Sequence, residues 1–237
     1  MVNNRYLYGL IGLVAGFIVS YFATQYYNDS EGGKAAASQG VAQPGAPGAQ
    51  PGSGGQPSMA EVQEVIAKAR SNPKDPQAQI EAAGLYYQIR MIPESIEFLK
   101  RAAELEPQKF GIPATIGNLY LDQKNYAEAE TWYRRAVTIK ADEPELYVEI
   151  AATLLQRQSP DPNKAVQELD RALKLDPQNT HALAHMIDAQ LLRRDAEAAD
   201  QALARLRATE PANNRISLYQ GLIADLRAGR PVNIPKE

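Results

Sequence analysis

The chain has 237 residues, 44% of them hydrophobic and 22% charged, with a net charge of −3, which is the balance of an ordinary globular protein. Its mild acidity argues against a nucleic-acid binder, which would present a basic face. The absence of cysteine excludes disulfides, thiolate metal sites, cysteine nucleophiles and a lipid-modified cysteine, although it does not identify the compartment.

The mean hydropathy of −0.40 conceals an apolar beginning. Leu7 to Ala23 is an uncharged run of 17 residues, LYGLIGLVAGFIVSYFA, which as a helix rises about 25 Å. With its tyrosine flanks it suffices for a hydrocarbon core of roughly 30 Å. Tyr6 and Tyr8 stand at one end and Tyr21, Tyr26 and Tyr27 at the other, the placement of an aromatic belt. The competing reading is a cleaved signal peptide, which needs small residues at the last and antepenultimate positions before the cut. Cleavage after Ala23 would put Tyr21 in the second of these, and Ala35 and Ala37 lie too far downstream, so the segment is read as an uncleaved anchor over 1–27. Arg5 precedes it while Asp29, Glu31 and Lys34 follow. The positive-inside rule then places the N-terminus in the cytoplasm and the rest across the inner membrane, in the periplasm. Gly12 and Gly16 form a GxxxG pair that suits a homo-oligomer contact between anchors; ordinary glycine usage in such helices is the alternative.

Residues 28–58, NDSEGGKAAASQGVAQPGAPGAQPGSGGQPS, hold almost no large apolar side chain. They cannot bury enough surface to offset ordering entropy, so they are expected to form a disordered linker, with a coil span of about 30 Å. From Met59 the composition turns to Ala, Leu, Glu, Gln and Arg, the helix formers. A leading helix is expected over 59–75.

The rest of the chain is periodic. Pro73, Pro107, Ala141, Pro177 and Pro211 are spaced 34, 34, 36 and 34. Ala102, Ala136, Ala172 and Leu206 keep the same interval, as do Ser95, Ala129, Ala165 and Ala199, and Leu99, Tyr133, Leu169 and Leu203. The longer step has a local origin, two extra residues around Gln158 to Pro162. There Asp161 suits an N-cap and Pro162 the first helical position.

These residues resemble the tetratricopeptide repeat, whose pattern runs aromatic, leucine, small residue, tyrosine, then alanine, aromatic, alanine and proline. Repeat one (76–109) has Ala83, Tyr86, Ala102 and Pro107, and repeat two (110–143) has Gly117, Tyr120, Ala129, Tyr133 and Ala136. Repeat three (144–179) has Tyr147, Ala151, Ala165, Ala172 and Pro177, and repeat four (180–213) keeps Leu183, Ala199, Leu203 and Pro211. The resemblance implies an all-α fold: a right-handed superhelical solenoid of four helix pairs with a leading helix and a C-terminal cap over 214–237, behind a transmembrane helix. Small residues at 83, 117 and 151 would let paired helices approach closely.

The resemblance also implies a concave groove lined by the first helix of each repeat. Carried onto this sequence, the groove takes Gln77, Ile80, Gly84 and Tyr87 from repeat one, and Gly111, Ala114, Asn118 and Leu121 from repeat two. It takes Glu145, Val148, Ala152 and Leu155 from repeat three, His181, Ala184, Asp188 and Leu191 from repeat four, and Arg215, Leu218 and Leu222 from the cap. This composition is small and apolar with scattered polar groups, suited to an extended or helical peptide, but the same leucines would equally serve helix packing. Members of the family that bind chaperone tails grip a terminal carboxylate with lysine, asparagine and arginine. Here Ile80, Glu145 and Glu149 stand at such places and only Asn118 matches in kind, so no binding of acidic C-terminal tails is expected.

His181, His185 and Asp188 share a helical face by spacing, which makes a zinc site conceivable. No Glu sits between the histidines as in HExxH, however, and no second cluster completes a site. They are read as solvated groove residues, with no metal and no cofactor. Glu97, Lys100, Arg101 and Glu104 read as a solvated helix face, and Trp132 as packing between repeats. No catalytic motif is recognisable, so a non-enzyme is expected: a membrane-anchored adaptor or assembly scaffold for other proteins, in envelope biogenesis, secretion or cytochrome assembly. A stoichiometric subunit of a larger membrane complex is the alternative, and a metal-dependent enzyme or sensor the remote one.

Overall fold

The computed structural model describes residues 58–235; the expected anchor, and the linker up to residue 57, lie outside them. Ten helices and no strand occur among the described residues. None of these helices is long and apolar enough to cross a membrane. They are α1 (Met59–Ser71), α2 (Pro76–Gln88), α3 (Ile92–Leu105), α4 (Gly111–Asp122), α5 (Tyr126–Ile139), α6 (Pro144–Gln156), α7 (Pro162–Leu175), α8 (Thr180–Leu192), α9 (Ala196–Thr209) and α10 (Ile216–Arg227).

Helix starts follow local chemistry. Ser58 and Glu61 form a reciprocal capping box on α1, which satisfies two otherwise orphan N–H groups. Asp75, Asp161, Asn179 and Asp195 cap α2, α7, α8 and α9 with side-chain oxygens. Proline opens α2, α6 and α7, where its missing N–H is not needed. The expected start at Asp161–Pro162 is therefore found.

The turns inside the helix pairs were not foreseen. Arg90, Lys124 and Arg194 adopt positive φ, at 62°, 57° and 60°. In each turn this residue's N–H donates to the carbonyl three residues back. The next N–H reaches five back, to Tyr86, Tyr120 and Gln190 respectively. This is a left-handed helix end, normally given to glycine, and Gly229 makes the same pair of bonds after α10. Repeat three departs from the pattern. Its two extra residues replace this turn with a bond from the Asp161 N–H to the Leu154 carbonyl at 3.0 Å.

The chain divides into two compact units, one ending at Phe98 and the other beginning at Leu99, inside α3. In the first, α1 packs on α2, and the buried Gln79 amide donates to the carbonyls of Ala69 and Asn72 at 2.8 and 3.2 Å. Ser95 Oγ donates to the Ala83 carbonyl at 2.8 Å, and the Tyr86 and Phe98 rings stack at 5.5 Å.

In the second unit, α4 to α10 each pack on the next helix in sequence. In addition α6 lies against α8 and α8 against α10, so first helices stand side by side. Tyr133, Ile150, Leu154, Leu169, Leu183, Ile187, Leu203 and Tyr219 are fully buried. Each such aliphatic side chain contributes about 1.5–3 kcal/mol, against about 0–1 kcal/mol for an exposed ion pair such as Arg227–Asp200. The apolar interior therefore holds the stack, and polar ties set its register. Arg134 reaches Glu168 at 3.1 Å and Asn179 reaches Glu145 at 2.9 Å, both across 34 residues, one repeat length. Arg157, at the foot of the two-residue insertion, pairs with Glu130.

Candidate functional site

The groove positions do not share one environment. In the first unit Gln77 is exposed, while Ile80, Gly84 and Tyr87 on α2 are half-buried; a Cβ at Gly84 would meet nothing within 4 Å. On α4 of the second unit, Gly111, Ala114 and Leu121 are half-buried and Asn118 is exposed. On α6 and α8, Val148, Ala152, Leu155, Ala184 and Leu191 are all buried in the core. Leu222 joins them, while Leu218 remains 38% exposed. The apolar positions of the third and fourth repeats are thus consumed by packing, so the accessible part of this face is polar.

Those polar groups form a row of three hydrogen-bonded clusters. Tyr133, on the second helix of repeat two, has a fully buried ring packed over Gly117. Its hydroxyl donates to Asn118 Oδ1 at 2.6 Å and lies 3.4 Å from Glu149 Oε2. Burial and the nearby Glu149 carboxylate push this phenol well above its usual range, so it remains a donor. One turn back on α6, Glu145 accepts from Asn179 and meets His181 Nδ1 at 2.9 Å. The hydrogen bond from His181 holds the Glu145 carboxyl below its ordinary value, against the opposing effect of burial. Glu149 shifts the other way: burial raises it, only partly offset by His185.

Farther along, Asp188 Oδ2 receives Arg215 at 3.3 Å and the Tyr219 hydroxyl at 3.4 Å, with His185 Nδ1 at 3.7 Å. The Arg215 guanidinium also lies over the Tyr219 ring, 4.8 Å from its centre. His181 and His185 therefore turn to different carboxylates. Among the described residues no group of three or more His, Asp or Glu is placed to hold a metal ion.

Sequence reading had placed Asn118, Glu145, His181 and Asp188 on this face but missed Tyr133 and Tyr219 as members. Their one available signal is that a buried tyrosine needs a partner for its hydroxyl. Trp132 is half-buried with Arg135 over its ring at 5.1 Å.

A family model for the tetratricopeptide repeat matches residues 114–143, the segment holding Asn118 and Tyr133. No curated protein matches by sequence. Solved structures do match. YrrB, described as a TPR protein with an unusual peptide-binding site, is 18% identical with a TM-score of 0.57, covering 71% of this chain and 86% of its own. MamA is 14% identical with a TM-score of 0.60, over 68% and 85%. PilF of Pseudomonas aeruginosa is 19% identical with a TM-score of 0.53, over 67% and 72%. At these identities the likeness establishes the fold. Periodicity, helix pairing, the repeat matched over 114–143 and the structural relatives agree that the described residues adopt the tetratricopeptide-repeat fold.

Proposed function

We propose that this protein is a membrane-anchored adaptor or assembly scaffold whose row of first helices holds segments of partner proteins. The observation that carries the reading is the polar row from Asn118 through Glu145 and His181 to Arg215. Its groups are tied within three clusters on helices anchored in the core, yet Asn118 and His181 remain exposed. Such preorganised, accessible hydrogen-bonding groups suit recognition of a peptide. Tetratricopeptide-repeat proteins mediate protein–protein interaction, and YrrB, which shares this fold, has an unusual peptide-binding site.

The finer parts of the reading rest on sequence. An anchor over 1–27 and a linker over 28–58 would tether a repeat domain of four helix pairs over 76–213, between a leading helix over 59–75 and a cap over 214–237. The anchor would hold that domain on the periplasmic side of an inner membrane, with Gly12 and Gly16 available for anchor pairing. The process served would be envelope biogenesis, secretion or cytochrome assembly. No chemistry is assigned to the chain itself.

Affinity purification of the full chain from native membranes tests this, alongside Asn118→Trp/His181→Trp and a control, Asp170→Trp, on the opposite helix layer. The proposal expects discrete proteins that the control retains and the groove variant loses. Recovery of the same proteins by all three would contradict it.

A further inference from the structure

This face carries an unbalanced charge. Three carboxylates, Glu145, Glu149 and Asp188, stand against one permanent cation, Arg215, which is engaged with Asp188. Counting these permanent charges alone the row is net −2, three negatives less one positive.

Two of the carboxylates are largely withdrawn from water. Glu149 is partly buried, lies 3.4 Å from the Tyr133 hydroxyl whose proton goes mainly to Asn118, and has no ion pair among the described residues. Asp188 is only 7% exposed; its Oδ2 serves Arg215, Tyr219 and His185, while its Oδ1 is buried and accepts no hydrogen bond. Buried acceptors without donors are costly and uncommon in folded chains, and a desolvated carboxylate gains most from an incoming cation. Gln79 Oε1 and Arg157 Nε are likewise unpaired, but neither belongs to a carboxylate of the row.

We propose that the partner segment is basic and presents lysine or arginine side chains to Glu145, Glu149 and Asp188. This rests on the groove reading above and gives it a chemical class of ligand. The charge a partner brings would offset the desolvation of Glu149, which His185 and the Tyr133 hydroxyl offset only in part. An acidic segment would meet three like charges, and a wholly apolar one would find Val148, Leu155 and Leu191 already packed.

Selection of short random peptides by display on the full chain provides the test, followed by titration of recovered peptides by fluorescence anisotropy. The expected result is enrichment of Lys and Arg over the starting library. A recovered peptide should weaken about tenfold on Glu149→Gln, the loss of one charge-assisted contact. It should weaken further with Asp188→Asn added, and be unaffected by Asp170→Asn. Because Glu149→Gln removes a desolvated charge, its thermal midpoint should equal or exceed that of the wild type, so that lost binding is not lost folding. A lower midpoint would contradict the desolvation argument. Binders that lack basic enrichment, or basic binders indifferent to Glu149→Gln and Glu145→Gln, would overturn the basic-segment inference and leave the groove reading standing. No binders of any charge would count against both.

Discussion

Gly117 and Tyr133 show how one residue choice fixes the site. A Cβ on Gly117 would lie 2.7 Å from Tyr133 Cδ1 and Cε1, in a ring with no exposed surface. Gly117→Ala should therefore destabilise the domain by about 1–3 kcal/mol, the range for overpacking a filled core, as read by urea denaturation. It should also displace the hydroxyl that Asn118 accepts. The two glutamates of α6 offer a second test at this scale, with opposite signs. Glu145 is held below the ordinary value of 4.5, chiefly by His181. It contributes stability above that pH which is lost on acidification through its folded value. Glu149 is raised above 4.5 by burial, so its charge costs stability as pH climbs past 4.5. Thermal midpoints measured across pH should accordingly show Glu145→Gln below wild type at neutral pH and Glu149→Gln above it. Both differences should close in acid, where all three proteins carry a neutral side chain at these positions. Midpoints shifted in the same direction at neutral pH would contradict the assignment.

At the scale of the element, the sequence carried some features openly and hid others. The start of α7 was legible because Asp161 and Pro162 are local signals for a helix N-terminus, and the columns of small and aromatic residues were legible because packing repeats with the backbone. The turns at Arg90, Lys124 and Arg194 were not, since no glycine marks them; the left-handed geometry is imposed by the helices on either side. A non-glycine residue there costs about 1–2 kcal/mol, part of which glycine's greater unfolded-state freedom offsets. Lys124→Gly should then raise stability by about 0.5–1 kcal/mol, and equal or lower stability in a denaturant titration would show that the turn is not strained. The polar row was half legible. Asn118, Glu145 and His181 followed from repeat position, but the Tyr133–Asn118 bond joins different helices 15 residues apart, and no local pattern announces it. Nor does a leucine's identity reveal whether it is open or packed. Leu155 and Leu218 hold equivalent expectations in sequence, yet one is buried and the other 38% exposed.

At the scale of the molecule, repeats are stabilised largely by their neighbours. Buried positions such as Ile150, Leu183 and Tyr219 therefore answer to the stack, while the exposed ends of the first helices are released from it and available for recognition. A photo-crosslinking amino acid introduced at Asn118 and at His181 of the full chain in living cells tests that division most directly, with Asp170 as control. The account predicts discrete crosslinked proteins, shared by Asn118 and His181 and missing from Asp170. Capture of only lipid and further copies of the chain, or identical products from all three positions, would contradict it.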